Sequence, residues 1–411
     1  MASLKDIEIQ SQYIRHAFQL VGLGCGVYYT SKVLYSVLRK AASILEPQPK
    51  LVQVKVEKEE VEDKLEGYPK FDTNKLVGQQ KTVYFWDPST LDYFGETPAM
   101  SAEEVNAAVS RARIAQREWK TSSFAKRRLL MRTMLRYITE NQETCARVAV
   151  RDSGKTLLDA LIGEVLVTCE KLVWLAESGE KYLQPEYRES GRMMMMKRVH
   201  VEFVPLGVIG AIVPWNYPFH NVFNPVSAAL FSGNAIVLKV SEYASWSIRY
   251  YKRIIDACLD AVGAPRDLVQ FVVGYGATGS ALVTSGVDKV IFVGSPGVGA
   301  IVAKAAADNL TPVVLELGGK DPFVVCDDVD VKSVIQTACR GVWQNMGQNC
   351  AGPERFFVYE KVRSCVGVCM YSMCVCTVTL CMCVCMCVCV CVCVCAVCVC
   401  SVCVSLRMLT K

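Results

Sequence analysis

The chain is expected to be an α/β protein built on a doubly wound parallel sheet. Three observations lead there. From Gly207 onward, short apolar runs alternate with helical stretches. Those runs are continuously apolar rather than alternating, which marks strands covered on both faces. The residues with chemistry to offer also fall where strands end, which is where such sheets bind ligands.

Residues 1–16 are polar. Ala17 to Leu38 is apolar apart from Gln19, Lys32 and a few hydroxyls, and a bilayer-spanning helix needs ~20 such residues. Residues 17–38 therefore read as a membrane anchor, with a signal-peptide core or a surface helix as alternatives. Lys32, Arg39 and Lys40 outweigh Lys5 and Arg15, so the positive-inside bias puts the following domain in the cytosol. The expected location is the endoplasmic reticulum or another endomembrane. Residues 39–70 read as a charged linker, and the charge blocks of Leu51 to Gly67 as solvated surface.

Residues 71–315 are expected to hold a helical region and the dinucleotide-binding domain. Thr82 to Trp86, with turn signals at Pro88-Ser89 and Gly95-Glu96, predicts a short strand pair. Ser101-Ala-Glu-Glu is a capping-box signature, and Val105, Ala108, Ala112 and Ala115 follow at helical spacing. Helical patterns run from Ala125 to Ser178, broken at Asp152-Ser153-Gly154. Met193 to Val204 reads as a strand or hairpin leading out of them. Five buried strands are then predicted: Val208 to Pro214, Ala235 to Lys239, Val269 to Val273, Val290 to Val293 and Val313 to Leu317. Helices are predicted between them at Phe219 to Phe231, Tyr243 to Ala261, Thr278 to Thr284 and Gly297 to Ala307. Asn309-Leu310-Thr311 is a formal glycosylation sequon, expected to stay unmodified because it leads into the fifth strand.

Composition narrows the function. A net charge of +5 on 45 basic and 40 acidic residues gives no reason to expect nucleic acid. Of 22 cysteines, fifteen crowd the last 47 residues, and the other seven are scattered without metal-ligand spacing. No metal site is expected, and the globular part reads as a reduced protein. The tail, residues 363–411, is a Cys-Val/Met alternation of low complexity, to which no function is assigned.

Cys350 sits on a Gly347-Gln348-Asn349-Cys350 turn between a predicted helix and the apolar run Phe356 to Tyr359. A nucleophilic thiol would be reachable there; a small buried hydrophobe is the alternative reading. With only His16, His200 and His220 in the chain, no imidazole is placed to activate it, and a carboxylate base with a cationic cofactor nearby would serve. Glu316 ends the fifth apolar run and Asn216 follows the first. Two glycine loops compete for a cofactor. Gly274-Tyr-Gly276-Ala-Thr-Gly279 fits GxGxxG, and Gly294-Ser295-Pro296-Gly297-Val298-Gly299 also opens a helix.

Three motifs are decisive together: Pro214-Trp215-Asn216-Tyr217-Pro218, Leu315-Glu316-Leu317-Gly318-Gly319-Lys320, and the Cys350 turn closing with Ala351-Gly352-Pro353. Jointly, and in this order, they resemble the aldehyde dehydrogenase superfamily from about Asp72 to about Val362. The resemblance implies a Cys350 nucleophile, Glu316 as general base, and an oxyanion hole from the Asn216 amide and the Cys350 backbone N–H. It further implies that Pro214 and Trp215 line the cofactor, that Lys239 and Glu242 hold the adenosine ribose, and that Gly294, Ser295 and Gly299 meet the pyrophosphate. Gly276 would lie near the adenine. Val240 stands where the family usually has proline.

The cofactor so implied is NAD, because Glu242 would meet a 2′-phosphate with like charge; NADP is the alternative. The implied substrate is a small-molecule aldehyde whose identity the sequence does not give, and a homo-oligomer is implied. After Val362 the chain lacks the family's Glu-Ile-Phe-Gly-Pro motif and its C-terminal strand. Residues 316–362 are therefore expected to be a partial catalytic domain of a C-terminally truncated, catalytically impaired product. The alternatives are an inactive NAD-binding or membrane-tethered fragment and, within the superfamily, a thioester-forming reductase or CoA-acylating dehydrogenase, against which Glu316 argues.

Overall fold

The computed structural model describes residues 46–62, 65–76, 81–367 and 407–409. The expected anchor at 17–38 and most of the tail lie outside the described residues. Among the described residues, no helix is long and apolar enough to cross a membrane. Met1–Pro49 and Lys50–Lys411 separate into two units, and the elements named next all belong to the second.

Strands β1 (Thr82–Trp86) and β2 (Tyr93–Pro98) form the expected antiparallel pair. Helix α1 (Ala102–Trp119) starts at the predicted capping box. Ser101 Oγ accepts from the Glu104 N–H at 3.3 Å, and the Glu104 carboxylate accepts from the Ser101 N–H at 2.8 Å. Val105, Ala108, Ala112 and Ala115 are all buried. Helices α2 (Phe124–Glu140) and α3 (Gln142–Ser153) follow, and α3 ends at Gly154, whose φ of 72° is the left-handed cap that glycine supplies. Helix α4 (Leu157–Ala160) then runs through a π-helical stretch, Leu161–Leu166, into α5 (Val167–Ser178). The hairpin β3 (Glu186–Arg188) and β4 (Val199–Val201) is exposed along its length, and its methionine-rich connection is a short 3-10 turn rather than strand.

Five parallel strands carry the core: β5 (Val208–Ile212), β6 (Ala235–Lys239), β7 (Val269–Val272), β8 (Lys289–Gly294) and β9 (Val313–Leu317). Their spatial order is β7-β6-β5-β8-β9. Helices α6 (Pro218–Phe231), α7 (Ile248–Ala261), α8 (Gly276–Thr284) and α9 (Pro296–Ala307) connect them. The chain winds outward from β5 to β7, returns to β5's other side with β8, and winds the opposite way. That reversal opens a crevice at the carboxyl ends of β5 and β8.

Several local expectations change. β9 is an edge strand with Val314, Glu316 and Leu317 exposed, not a strand covered on both faces. The helix expected from Tyr243 begins at Ile248, because Glu242–Ala244 forms a separate 3-10 turn. There Ser245 Oγ donates to the Ser241 carbonyl at 2.7 Å and the Ser247 N–H donates to Asp152 Oδ2 at 3.1 Å. The Ser245 bond is local and competes with helix, whereas the Ser247 bond reaches 95 residues back to α3. The charged segment after Leu51 is not solvated throughout: Val52 and Val54 pack on the core, and Glu60 is buried against Arg253, Oε2 to Nη2 at 2.7 Å.

Beyond the sheet, β10 (Asp321–Val325) pairs in parallel with β11 (Pro353–Tyr359), and α10 (Val331–Trp343) connects them. Arg407–Leu409 adds a third parallel strand, β12, beside β11. This part has its own apolar cluster of Val325, Ile335, Ala338, Phe356, Val358, Val362 and Val366.

Candidate active site

The loop after β5 positions Asn216. Pro218 occupies the first turn of α6, where its missing N–H costs nothing, so Asn216 and Tyr217 form the short approach to that helix. The Asn216 side chain is partly buried; its Nδ2 donates to the Gln348 carbonyl at 2.9 Å, and its Oδ1 accepts from Asn221 Nδ2 at 3.5 Å. Its backbone carbonyl accepts from Asn345 Nδ2 at 3.0 Å and from Lys155 Nζ at 2.7 Å.

Gln348 belongs to the turn that carries Cys350. This turn is sharp: Asn345 and Met346 both adopt left-handed backbone, with φ of 59° and 58°. Asparagine tolerates that region; methionine does so at a cost of about 1–3 kcal/mol. Asn345 is fully buried, and its Nδ2 also donates to the Gln348 carbonyl at 3.2 Å. Cys350 itself is exposed, so it is not a buried packing residue. Burial first, and then the nearness of Cys350, push the Tyr217 phenol up to about 12. The loop after β5 and the thiol-bearing turn are thus tied together by hydrogen bonds from both sides.

Glu316 lies elsewhere in the same set of strand ends. It is exposed on β9, opposite Val293 of β8, and among the described residues no hydrogen bond joins it to Cys350 or Asn216. At the end of β6, Lys239 is buried and its Nζ lies 3.2 Å from Glu242 Oε2. Ser295 caps α9, its Oγ accepting from the Val298 N–H at 3.5 Å. A Cβ on Gly299 would come within 2.6 Å of Leu317 Cδ2, so glycine lets α9 lie close to β9. Around Gly276 the space is open, and in that loop the tight position is Gly274, where a Cβ would meet Thr278 Oγ1 at 2.1 Å. Pro214 is half-buried and Trp215 partly exposed beside Asn216.

Pro214, Trp215, Asn216, Lys239, Glu242, Gly294, Ser295 and Glu316 all follow or end β5, β6, β8 or β9, around the crevice left by the winding reversal. The residue set suits a dinucleotide: the N-terminal end of a helix for a diphosphate, and an acid–base pair for a ribose.

Sequence reasoning missed two residues here. Lys155 and Glu164 form an ion pair at 2.6 Å with both side chains at 0% exposure. Glu164 Oε2 also accepts from the Phe219 and His220 N–H groups at 2.6 and 3.2 Å, capping α6. Burial lowers the Lys155 ammonium's pKa and raises that of the Glu164 carboxyl, while their contact opposes both shifts. The only signal in the sequence was Lys155 following the helix break at Gly154, a position that usually belongs to solvent.

A model described as the aldehyde dehydrogenase family matches residues 76–366. An aldehyde dehydrogenase-like protein of Saccharomyces cerevisiae is 42% identical over 281 residues, covering 66% of this chain and 44% of its own length. A similar protein of Schizosaccharomyces pombe is 38% identical over 292 residues, 71% of this chain and 56% of its own. The chain thus spans about half the length of these curated relatives. An NAD+ complex of an aldehyde dehydrogenase from Bacillus cereus superimposes with a TM-score of 0.65 at 30% identity, covering 71% of this chain and 59% of that one.

Proposed function

Because this chain belongs to the aldehyde dehydrogenase family, an oxidoreductase family, we propose that its site performs the NAD-dependent oxidation of an aldehyde to a carboxylic acid. The observation that carries the reading is the mutual hold of Asn216 and the Cys350 turn, Asn216 Nδ2 to the Gln348 carbonyl at 2.9 Å. In this reading the hold keeps the Asn216 amide, as oxyanion donor, beside the turn that carries a reachable thiol.

The Cys350 sulfur, as thiolate, forms a bond to the aldehyde carbon while the carbonyl π pair moves to oxygen. The second N–H of Asn216 Nδ2 and the Cys350 backbone N–H receive that charge. NAD, when bound, supplies the acceptor for the hydride, and a thioester remains on Cys350. Glu316 takes the proton of the attacking water; the carbon–sulfur bond breaks, returning the thiolate and releasing the acid. Lys239 and Glu242 would hold the adenosine ribose. Gly294, Ser295 and Gly299 would receive the diphosphate, with Pro214, Trp215 and Gly276 lining the cofactor. Glu242 favours NAD over NADP by charge.

Residues 71–315 serve as the dinucleotide-binding part and 316–362 as the thiol-bearing part in this reading, and the family implies a homo-oligomer. The apolar composition of residues 17–38 supports anchoring on an endomembrane with the enzyme domain cytosolic. Resistance of the full chain to a carbonate wash of membranes tests that, and recovery in the soluble fraction would end it.

A second reading is cofactor binding without turnover, with the residues at the ends of β5, β6 and β8 holding NAD. One assay separates the two. NADH production is followed with short and long aliphatic aldehydes, beside a Cys350→Ala control. Turnover lost in the control supports oxidation; NAD binding without turnover supports the second reading.

A further inference from the structure

We propose that Lys155, held in place by Glu164, is a positioning residue that sets Asn216 for oxyanion binding. This rests on the thiol chemistry proposed above. Lys155 Nζ touches three groups around one loop: Glu164 Oε1 at 2.6 Å, the Asn216 carbonyl at 2.7 Å, and the Tyr217 ring, 4.3 Å from its centroid. One contact is an ion pair, one a hydrogen bond and one a cation over a ring face, so the buried ammonium is held from three sides. The second oxygen of Glu164 holds the Phe219 and His220 N–H groups. One buried pair therefore grips residues 216, 217, 219 and 220, on both sides of the Asn216–Tyr217 peptide.

The pair is not explained by stability. A wholly buried ion pair can commonly be replaced by apolar residues at no net loss, because desolvation offsets the attraction. Its contacts instead specify a conformation. Asn345, anchored in the Cys350 turn, binds the same Asn216 carbonyl that Lys155 binds, at 3.0 Å. Lys155 thus fixes the loop from the protein interior while Asn345 fixes it from the thiol side, leaving the Asn216 side chain pointing to the Gln348 carbonyl. The π-helical stretch Leu161–Leu166 is the element that carries Glu164 inward.

The test uses two reactions of Cys350 in the full chain, both read by mass spectrometry of its peptide. With p-nitrophenyl acetate, sulfur bonds to the carbonyl carbon, an oxyanion forms, and p-nitrophenolate leaves with the electron pair as the thiol proton passes to solvent. With iodoacetamide, sulfur displaces iodide at a saturated carbon and no oxyanion forms. Lys155→Met is expected to slow acetylation about 10- to 100-fold, the size of an ångström-scale misplacement, and to leave alkylation within about twofold. In an Asn216→Ala background, Lys155→Met should add nothing, since it acts through that amide. Should Lys155→Met fail to fold, Lys155→Met with Glu164→Leu removes both charges and should show the same selective loss.

Unchanged acetylation, equal slowing of both reactions, or additivity with Asn216→Ala each overturns the positioning role. Acetylation of the parent that does not differ from a Cys350→Ala chain overturns the thiol chemistry itself, and the inference with it.

Discussion

Asp152 stands in the last turn of α3, three residues before Lys155, and is wholly enclosed. Its Oδ2 accepts from the Ser247 N–H at 3.1 Å. Burial, with smaller contributions from Asp87 and Glu164, raises its carboxyl from 3.8 to about 7, against the lowering effect of the Ser247 bonds. Between pH 3.8 and about 7 the folded chain keeps a proton that the unfolded chain has released, so stability falls as pH rises through this window. A shift of about three units at ~1.4 kcal/mol each makes the loss up to about 4 kcal/mol at pH 8. Asparagine has nearly the same shape, can accept the Ser247 bond and cannot ionise. Asp152→Asn should therefore match the parent only near pH 3.8, melt slightly above it at pH 5, where roughly a third of the loss has accrued, and several degrees above it at pH 8, since ~1 kcal/mol moves the midpoint by about 2–4 °C in a 150–250-residue domain and by less in a larger one. Thermal unfolding of both chains at pH 5, 6, 7 and 8, with reductant present, measures the difference. A gap that stays constant with pH would refute the assignment of a proton to buried Asp152.

Three further outcomes are expected. Glu316→Gln should leave acetylation of Cys350 intact and slow release of the acyl group by about 10²- to 10⁴-fold, the usual range for losing a general base; acyl-Cys350 that turns over at the parent rate counts against that role. Titration of NAD and NADP against tryptophan fluorescence should show tighter NAD binding, and Glu242→Gln should narrow the preference; tighter NADP binding by the parent would sink the ribose assignment. Gly299→Val would force side-chain atoms onto Leu317, where even a Cβ comes within 2.6 Å, and should cost about 1–3 kcal/mol in denaturant unfolding. An unchanged midpoint would show that α9 is free to move from β9.

Much of the architecture could be read from local pattern. Ser101 and Glu104 announce the start of α1, Gly154 the end of α3, and five apolar runs the five strands of the sheet, within a few residues. Caps and periodicity act between neighbours in the chain, so they survive without knowledge of the fold. The motif residues at the carboxyl ends of β5, β6, β8 and β9 were legible for a related reason: parallel strands place all their carboxyl ends on one side.

Other features depend on partners distant in the chain. Asn216 meets Gln348 across 132 residues, and Glu164 meets the start of α6 across 55. Val52 and Val54 sit in a segment whose charge pattern reads as solvated, and only the core behind them makes them packing residues. Lys155 looks like any lysine after a helix stop until Glu164, carried inward by a π turn, removes it from water. A buried charge is stable only beside its counter-charge and acceptors. Their arrangement belongs to the folded chain as a whole, which is why no stretch of residues around Lys155 reveals it.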